Sequence, residues 1–371
     1  MNSLKIACWD VEQFKNSQEE WSNLLVKSNS NKLFMSWEWL YTWWDIFSDP
    51  KSMELKLFVA INENGDVVGI APLYLSTVIS KRFVKTRRLQ FLGNCWRGNV
   101  TMRTELQDFI VNKSCAEQVI SSFYQFMNSL PDWDELILSD LDMKSDTYNV
   151  LINEKPINNA YYRYAETYDS FYLNIVKSFD EFCQSLGTNT RLKLLNRRKV
   201  LDTLGEVKFI ECVENNIEDS FSKLNELHIK RWGTPVFKDK RLDFNLTVAQ
   251  LMAKKDMLRF SLITLDDKPI SIQYNYLINK HEYNIQAGFE EEFHKKISLG
   301  YLHFGYEIES AFENNIEVYD FLAGEGKNTQ YKERLTSSTI KIVCMQVVRK
   351  KSVKILYYIY DWYCRTLKKS N

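Results

Sequence analysis

From residue 36 to residue 47 the chain reads Ser-Trp-Glu-Trp-Leu-Tyr-Thr-Trp-Trp-Asp-Ile-Phe, with apolar positions recurring every three or four residues. Trp37, Leu40, Tyr41 and Trp44 share one helical face and Trp39 and Trp43 another. The spacing predicts a helix covered on two sides, with Ser36 as N-cap. Before it, a strand over Leu4–Trp9 and a polar helix near Glu12–Val26 are expected. After it, the apolar runs Leu55–Ile61 and Val67–Leu75 flank Asn62-Glu63-Asn64-Gly65-Asp66. Asn-Gly between two such runs is a strong hairpin signal. A strand at Arg88–Leu92, an irregular stretch after Gly93, a strand at Asp108–Val111, a helix near Ala116–Leu130 and a strand at Leu136–Leu138 complete an α/β unit. Residues Asn149–Ala160 lack periodicity and mark the expected boundary.

The second half repeats this order. A helix near Phe179–Leu186 precedes the basic run Arg191–Lys199, read as one helix, and then comes a strand near Val207–Cys212. Helices follow near Ile217–Arg231 and Phe244–Lys254. Leu258–Leu265 and Ile270–Leu277 form a hairpin, which His281–Ala287 extends. A helix at Leu299–Asn314, a strand at Glu317–Leu322, a short helix at Gln330–Leu335 and a strand at Thr339–Val348 close the pattern. The expected division is 1–155, 156–349 and a C-terminal amphipathic segment at 350–371.

Composition narrows the class. A hydrophobic fraction of 45% and only 12 Gly and 6 Pro in 371 residues give a globular chain of two-domain size. Lys plus Arg equal Asp plus Glu at 48 each, so no global field recruits nucleic acid, DNA included, or an anionic membrane, and an anionic ligand needs a local basic cluster. The seven cysteines are odd in number and never spaced C-x-x-C, which argues against disulfides and zinc and for a reducing compartment. Four histidines without metal-ligand spacing and no G-x-S-x-G exclude metallohydrolase and serine hydrolase readings. The start carries no charged region followed by an apolar run. The apolar stretches Ile340–Val348 and Val353–Tyr363 are too short to cross a bilayer, and a cytoplasmic protein is expected.

The order in Leu258–Val348 resembles the acyl-CoA N-acyltransferase (GNAT) core: three antiparallel strands, a helix opening after the third, then strand, helix and strand. More specifically, the chain resembles the CelD/BcsL-type acetyltransferase-like family of bacterial polysaccharide synthesis, itself similar to the tandem GNAT fold of the FemABX aminoacyltransferases. The likeness rests on Trp37-Glu38-Trp39 with Trp43-Trp44, Arg197-Arg198, Leu227-His228 with Arg231-Trp232, Gly288-Phe289, Ser298-Leu299-Gly300, Asp320-Phe321-Leu322-Ala323-Gly324 and Tyr331-Lys332. Leu299 stands where the family pattern has proline. The resemblance implies an α/β (α+β) fold of two tandem GNAT-like domains, each a mixed, mainly antiparallel sheet flanked by helices. It further implies an N-acyltransferase, with acetyl-CoA or another acyl-CoA as donor and a small-molecule or glycan amine as acceptor. An aminoacyltransferase using charged tRNA and a non-catalytic module of a polysaccharide locus are the alternatives.

The loop ending in Lys295-Lys296-Ile297-Ser298-Leu299-Gly300 precedes a helix N-terminus, whose free N–H groups and dipole favour a pyrophosphate. Gly300 permits close approach, Ser298 can cap, and Lys295 and Lys296 add charge; the bland reading is an ordinary helix entry. Asp320, in a strand, is either a general base or the cap of the next turn. Glu325 is a weaker base. On the short helix that follows, the GNAT likeness makes Tyr331 the acid for the departing thiolate, and Lys332 steadies negative charge or binds phosphate; otherwise Tyr331 packs and Lys332 is solvated. Arg191 and Arg198 either meet a phosphorylated acceptor or face solvent. His228, Arg231 and Trp232 recur at i, i+3 and i+4, with Trp232 able to stack on a sugar or to fill core. The tryptophans at 37–44 are either a carbohydrate platform or packing. In the C-terminal segment, Ile355, Leu356, Ile359, Trp362 and Tyr363 form a stripe flanked by Lys350, Lys351, Lys354, Arg365, Lys368 and Lys369. That stripe either touches an anionic membrane or docks on the protein.

Overall fold

The structure, a computed structural model, describes residues 4–80, 84–176, 178–212, 216–324 and 330–368. Two compact units emerge: Met1–Thr167 with Lys341–Asn371, and Tyr168–Ile340. In the first, β1 (Lys5–Trp9), α1 (Val11–Asn16), α2 (Gln18–Lys27) and α3 (Trp37–Phe47) precede β2 (Met53–Ile61), β3 (Val67–Ser80) and β4 (Val84–Phe91). Then come β5 (Ile110–Val111), α4 (Ala116–Ser129), β6 (Glu135–Asp142), α5 (Asp146–Glu154) and the start of β7 (Tyr161–Asn174). The second unit holds the end of β7, α6 (Phe179–Ser185), α7 (Thr188–Arg191), α8 (Arg198–Leu201) and β8 (Val207–Cys212), then α9 (Ile217–Trp232) and α10 (Lys240–Ala253). It continues with β9 (Leu258–Leu265), β10 (Lys268–Ile278), β11 (His281–Phe289), α11 (Leu299–Glu313), β12 (Val318–Ala323) and α12 (Gln330–Leu335). Strand β13 (Thr339–Val348) leads to α13 (Lys351–Lys368) in the first unit.

Each unit has the mixed, mainly antiparallel sheet that the pattern implied. The first orders its strands β1-β2-β3-β4-β6-β13, with β4 and β6 parallel. The second orders them β7-β12-β11-β10-β9-β8, with β11 and β12 parallel. Apolar side chains of α4 (Val119, Ile120, Phe123) meet Phe58, Leu73 and Leu136 of the sheet in the first unit. In the second, Phe304 and Ile308 of α11 meet Tyr319 and Phe321 of β12.

Several sequence expectations change. The polar helix near 12–26 is two helices, because Ser17 turns out of helical geometry and bonds back to the Phe14 carbonyl at 2.8 Å. The boundary segment contains α5, capped by Ser145 on the Tyr148 N–H at 3.2 Å, and is followed by the unforeseen β7. The basic run is not one regular helix, since Leu192–Asn196 widen into a π-turn between α7 and α8. The division also differs from 1–155, 156–349 and 350–371. Strand β13 pairs with β6 from Ile342–Asp142 to Val348–Glu135, which joins the C-terminal residues to the first unit. Trp39 and Trp43 are fully buried and Trp37 and Trp44 nearly so, so the tryptophans are packing and not a carbohydrate platform.

Candidate functional site

In the second unit β11 and β12 are neighbours over three pairs only, His281–Val318, Glu282–Tyr319 and Tyr283–Asp320. Beyond them β11 continues to Phe289 along β10, and the two strands part like a fork. On β11, Asn284 faces Asn275 and Gln286 faces Tyr274, leaving Ile285 as the extra residue of a bulge. Ile285, Gln286 and Ala287 lie half-buried along the open edge. Such an edge offers main-chain N–H and C=O groups to an extended ligand that carries amides.

Helix α11 begins beyond this edge. Ser298 occupies the N-cap with φ −109° and ψ 95°, but its hydroxyl makes no capping bond, contrary to the sequence expectation. The first-turn N–H groups therefore receive no side-chain cap and retain their attraction for an anion. A Cβ on Gly300 would sit 2.8 Å from the Phe289 ring, so glycine is what lets that ring lie across the helix start. Leu299 is core, packed with Ile263, Ile270 and Leu302. Lys295 and Lys296 are exposed on a turn held by Ile297 N–H to His294 O at 3.0 Å.

Phe289 also connects this end to α9. Arg231 lies 4.6 Å over the Phe289 ring and 4.7 Å over Trp232, and grips Glu291 with two bonds of 2.8 and 3.1 Å. Trp232 is 60% exposed, so it is available for stacking and is not core. His228 holds the Thr234 carbonyl at 2.7 Å. Gly288 allows α9 this close, since a Cβ there would meet the Leu224 carbonyl at 3.2 Å. The sequence-derived donor and acceptor residues thus share one end of the unit, apart from the arginines of the basic run. Arg198 pairs with Glu309 and stacks 3.7 Å over Tyr306. That is about 13 Å along α11 from Gly300 at 1.5 Å per residue. Arg191 is half-buried where the π-turn starts.

The three proposed catalytic residues do not converge. Tyr331 stacks on Phe304 at 5.4 Å, the α11 side of the sheet, where Tyr319 and Phe321 also point. Asp320, between those two residues on the strand, faces the other side. It is 1% exposed, accepts the Leu322 N–H at 2.8 Å and lies 3.2 Å from His281 Nε2. The first of these bonds holds Leu322 at φ 60°, the turn-capping role foreseen as its bland alternative. Lys332 is buried and donates to the carbonyls of Phe321, Leu322 and Ala323 at 2.6, 2.9 and 3.0 Å. It is neither a solvated charge nor aimed at a phosphate. Glu325 lies outside the described residues.

Sequence reasoning missed three features. His281 partners Asp320 and is signalled only by strand register. Lys193 places its ammonium 5.4 Å from the Tyr301 ring on the first turn of α11, beside Tyr331. Lys223 and Lys230 of α9 and Lys268 of β10 line a groove of about 490 Å3 together with Glu226, Asp266 and Glu290, and Lys230 is paired with Glu290 at 2.9 Å.

Beneath the fork, facing α11, runs a buried polar chain. His303 lies 2.6 Å from Ser271 Oγ and 2.8 Å from Ser261 Oγ; Ser261 also bonds Glu307. Asn275 then donates to Glu307 and Glu282 at 2.9 and 2.8 Å. Burial raises both carboxyls, Glu282 to about 7, and lowers His303 to about 3. Neutral forms are what a dry core tolerates. No metal-holding cluster occurs among the described residues.

Comparison with known proteins bears on this end of the chain. Residues 188–333 match the Acetyltransferase (GNAT) domain family. A search of the curated proteins finds no match. Among solved structures the fold is similar to FemX, at 11% identity and TM-score 0.58 over 95% of this chain and 99% of FemX. It is also similar to L-PGS from Bacillus licheniformis, at 10% identity and TM-score 0.54 over 92% and 94%. A protein of unknown function from Bacteroides thetaiotaomicron gives 7% identity and TM-score 0.54 over 94% and 100%. At these identities the likeness is one of fold.

Proposed function

We propose that the GNAT acyltransferase domain carried by residues 188–333 moves acetyl from acetyl-CoA onto an amine of a sugar or polysaccharide precursor, as the CelD/BcsL resemblance implies. The observation that carries this reading is the fork, open along Ile285–Ala287 and ending at the uncapped start of α11. A donor with amides in its arm and a pyrophosphate beyond them matches that sequence of features. The donor's thioester supplies the acyl group.

The two sides of the fork divide the proton work. Burial raises the Tyr331 phenol, so it stays protonated at neutral pH and can give its proton to a departing sulfur. On the other side His281, oriented by Asp320, takes the proton from the attacking amine as the C–N bond forms and the C–S bond breaks. Lys332 is a positioning residue here, fixing the end of β12 against the helix that bears Tyr331. Trp232 offers a stacking face for a sugar ring.

The test is acetyl-CoA-dependent CoA release with free and nucleotide-linked amino sugars. Turnover with an amino sugar, lost on removal of its amine, is expected. Absence of acetyl-CoA binding together with transfer from aminoacyl-tRNA would replace this reading by the FemABX-like alternative.

A further inference from the structure

Helix α13 meets the first unit by one face only. Val353 and Tyr357 pack with Val348, Val84 and Tyr161. One turn further, Asp361 receives Arg163 through both oxygens at 2.8 and 2.5 Å and the Tyr161 hydroxyl at 2.8 Å. With about 100° between successive residues, these positions fall on one arc. The opposite arc carries Ile355, Tyr358, Ile359, Trp362 and Tyr363, every one more than half exposed, with Trp362 at 67%; Tyr358, at the edge of the arc, also has its ring 4.1 Å from that of Tyr161. The docked face is therefore not the apolar stripe read from the sequence, most of which points away from the body. Five large apolar side chains on one arc exceed the scattered exposure that needs no explanation.

We propose that this face of α13 lies on an anionic bilayer surface. Charge and side-chain type select that occupant. Segment 350–368 carries Lys350, Lys351, Lys354, Arg365 and Lys368 against one acid, Asp361, whose charge Arg163 already holds; Lys350 is itself paired with Asp134 at 3.2 Å and Lys354 donates to the Asn159 carbonyl, which leaves Lys351 as the exposed cation of the first turn. Lys351 and Lys354 sit in its first turn, and Arg365 and Lys368 in its last. A second copy of the same helix would oppose basic flank to basic flank, because a two-fold contact is made by the same surface on both subunits. Anionic headgroups meet the cations of this segment with an attraction that salt screens. Trp362, Tyr358 and Tyr363 have apolar rings with a polar tip, the side chains that settle at the boundary between headgroups and tails. The helix lies on the bilayer rather than through it, since no helix among the described residues is long and apolar enough to cross one.

The experiment is flotation of the full chain with phosphatidylcholine vesicles, with and without phosphatidylglycerol. The chain floats with the anionic vesicles, less so as salt rises. The double substitution Ile359→Ser with Trp362→Ser lowers binding about 10-fold or more, since it removes the buried apolar area that anchors such helices. Its melting temperature stays unchanged, because both side chains point outward. Lys351→Glu with Arg365→Glu weakens binding at low salt only. No flotation of the unsubstituted chain with anionic vesicles would overturn the proposal. So would a dimer by sedimentation that the double substitution turns to monomer without any vesicle binding, which would make the face a self-association surface.

Discussion

The two units build the same strand pattern and then treat its open end in different ways. In the first, β4 and β6 pair in parallel at Arg88–Glu135, Leu89–Leu136 and Gln90–Ile137, the counterpart of the β11–β12 fork. There the chain after β4 returns into the gap. Gln107 pairs in parallel with Leu141, and the Asn94 amide donates to Thr104 O, Gln107 Oε1 and Asp140 Oδ2 at 2.9, 3.0 and 3.0 Å. Trp39 closes over Thr104 at 2.8 Å, and Arg103 grips Asp140 at 2.6 Å. At its base the Arg88–Glu135 ion pair, 2.8 Å, is buried. In the second unit a short loop joins β11 to α11, and among the described residues no strand pairs with the outer edge of 285–287. One fork is filled by its own chain; the other keeps hydrogen-bonding groups for a ligand. The proposed donor site in the second unit rests on that difference and not on the shared topology.

Substitutions on either side sharpen the contrast. Tyr331→Phe, in the open unit, deletes one hydroxyl from a packed ring. It lowers kcat about 10²–10⁴-fold, the usual worth of a positioned acid, with melting nearly unchanged. Full kcat would remove Tyr331 from the chemistry. Arg88→Met, in the filled unit, strands Glu135 in the core. Breaking a buried ion pair costs about 3–5 kcal/mol, read as an earlier urea transition, while turnover per folded molecule is retained. A loss of turnover in the remaining folded fraction would show that the filled fork takes part.

The smallest effect is one of pH. Burial raises Asp108, at the end of the filling segment, from 3.8 to about 7. Below 3.8 both folded and unfolded chains hold that proton. As pH rises towards 7 the unfolded chain releases it while the folded chain does not, so stability of the first unit falls across this window. Asp108→Asn flattens this slope in urea melts at pH 4 to 7.5; an unaltered slope would place the pH dependence elsewhere. In the second unit, His303 adds stability as pH rises and Glu282 and Glu307 remove it, so their slopes oppose one another.

What was legible in the sequence follows the range of the forces. Hairpins, α3 and α11 announce themselves through period and turn residues a few positions apart, and the loop before Gly300 was identified on that basis. Strand β7 was not, because it carries Arg163 and Glu166, whose partners Asp361 and Arg97 lie 198 and 69 residues away. Pairing of β13 with β6 likewise depends on contacts that no local window contains. Trp232 was singled out by helical spacing and Gly300 by the order of elements in the GNAT resemblance. The opposite facings of Asp320 and Tyr331 depend on the alternation of Tyr319, Asp320 and Phe321 along β12, and the His281 partnership on the register of β12 with β11. Lys332 looks like a surface charge in sequence because the three carbonyls that consume it belong to a strand end that only folding brings near.

Hydrogen exchange of the full chain, with and without saturating acetyl-CoA, reports whether the donor occupies the fork of the second unit. Exchange slows at the amides of 285–289 and 298–302, with those at 88–107 unchanged. Protection at 88–107 instead, or no protection anywhere in a folded sample, would contradict it.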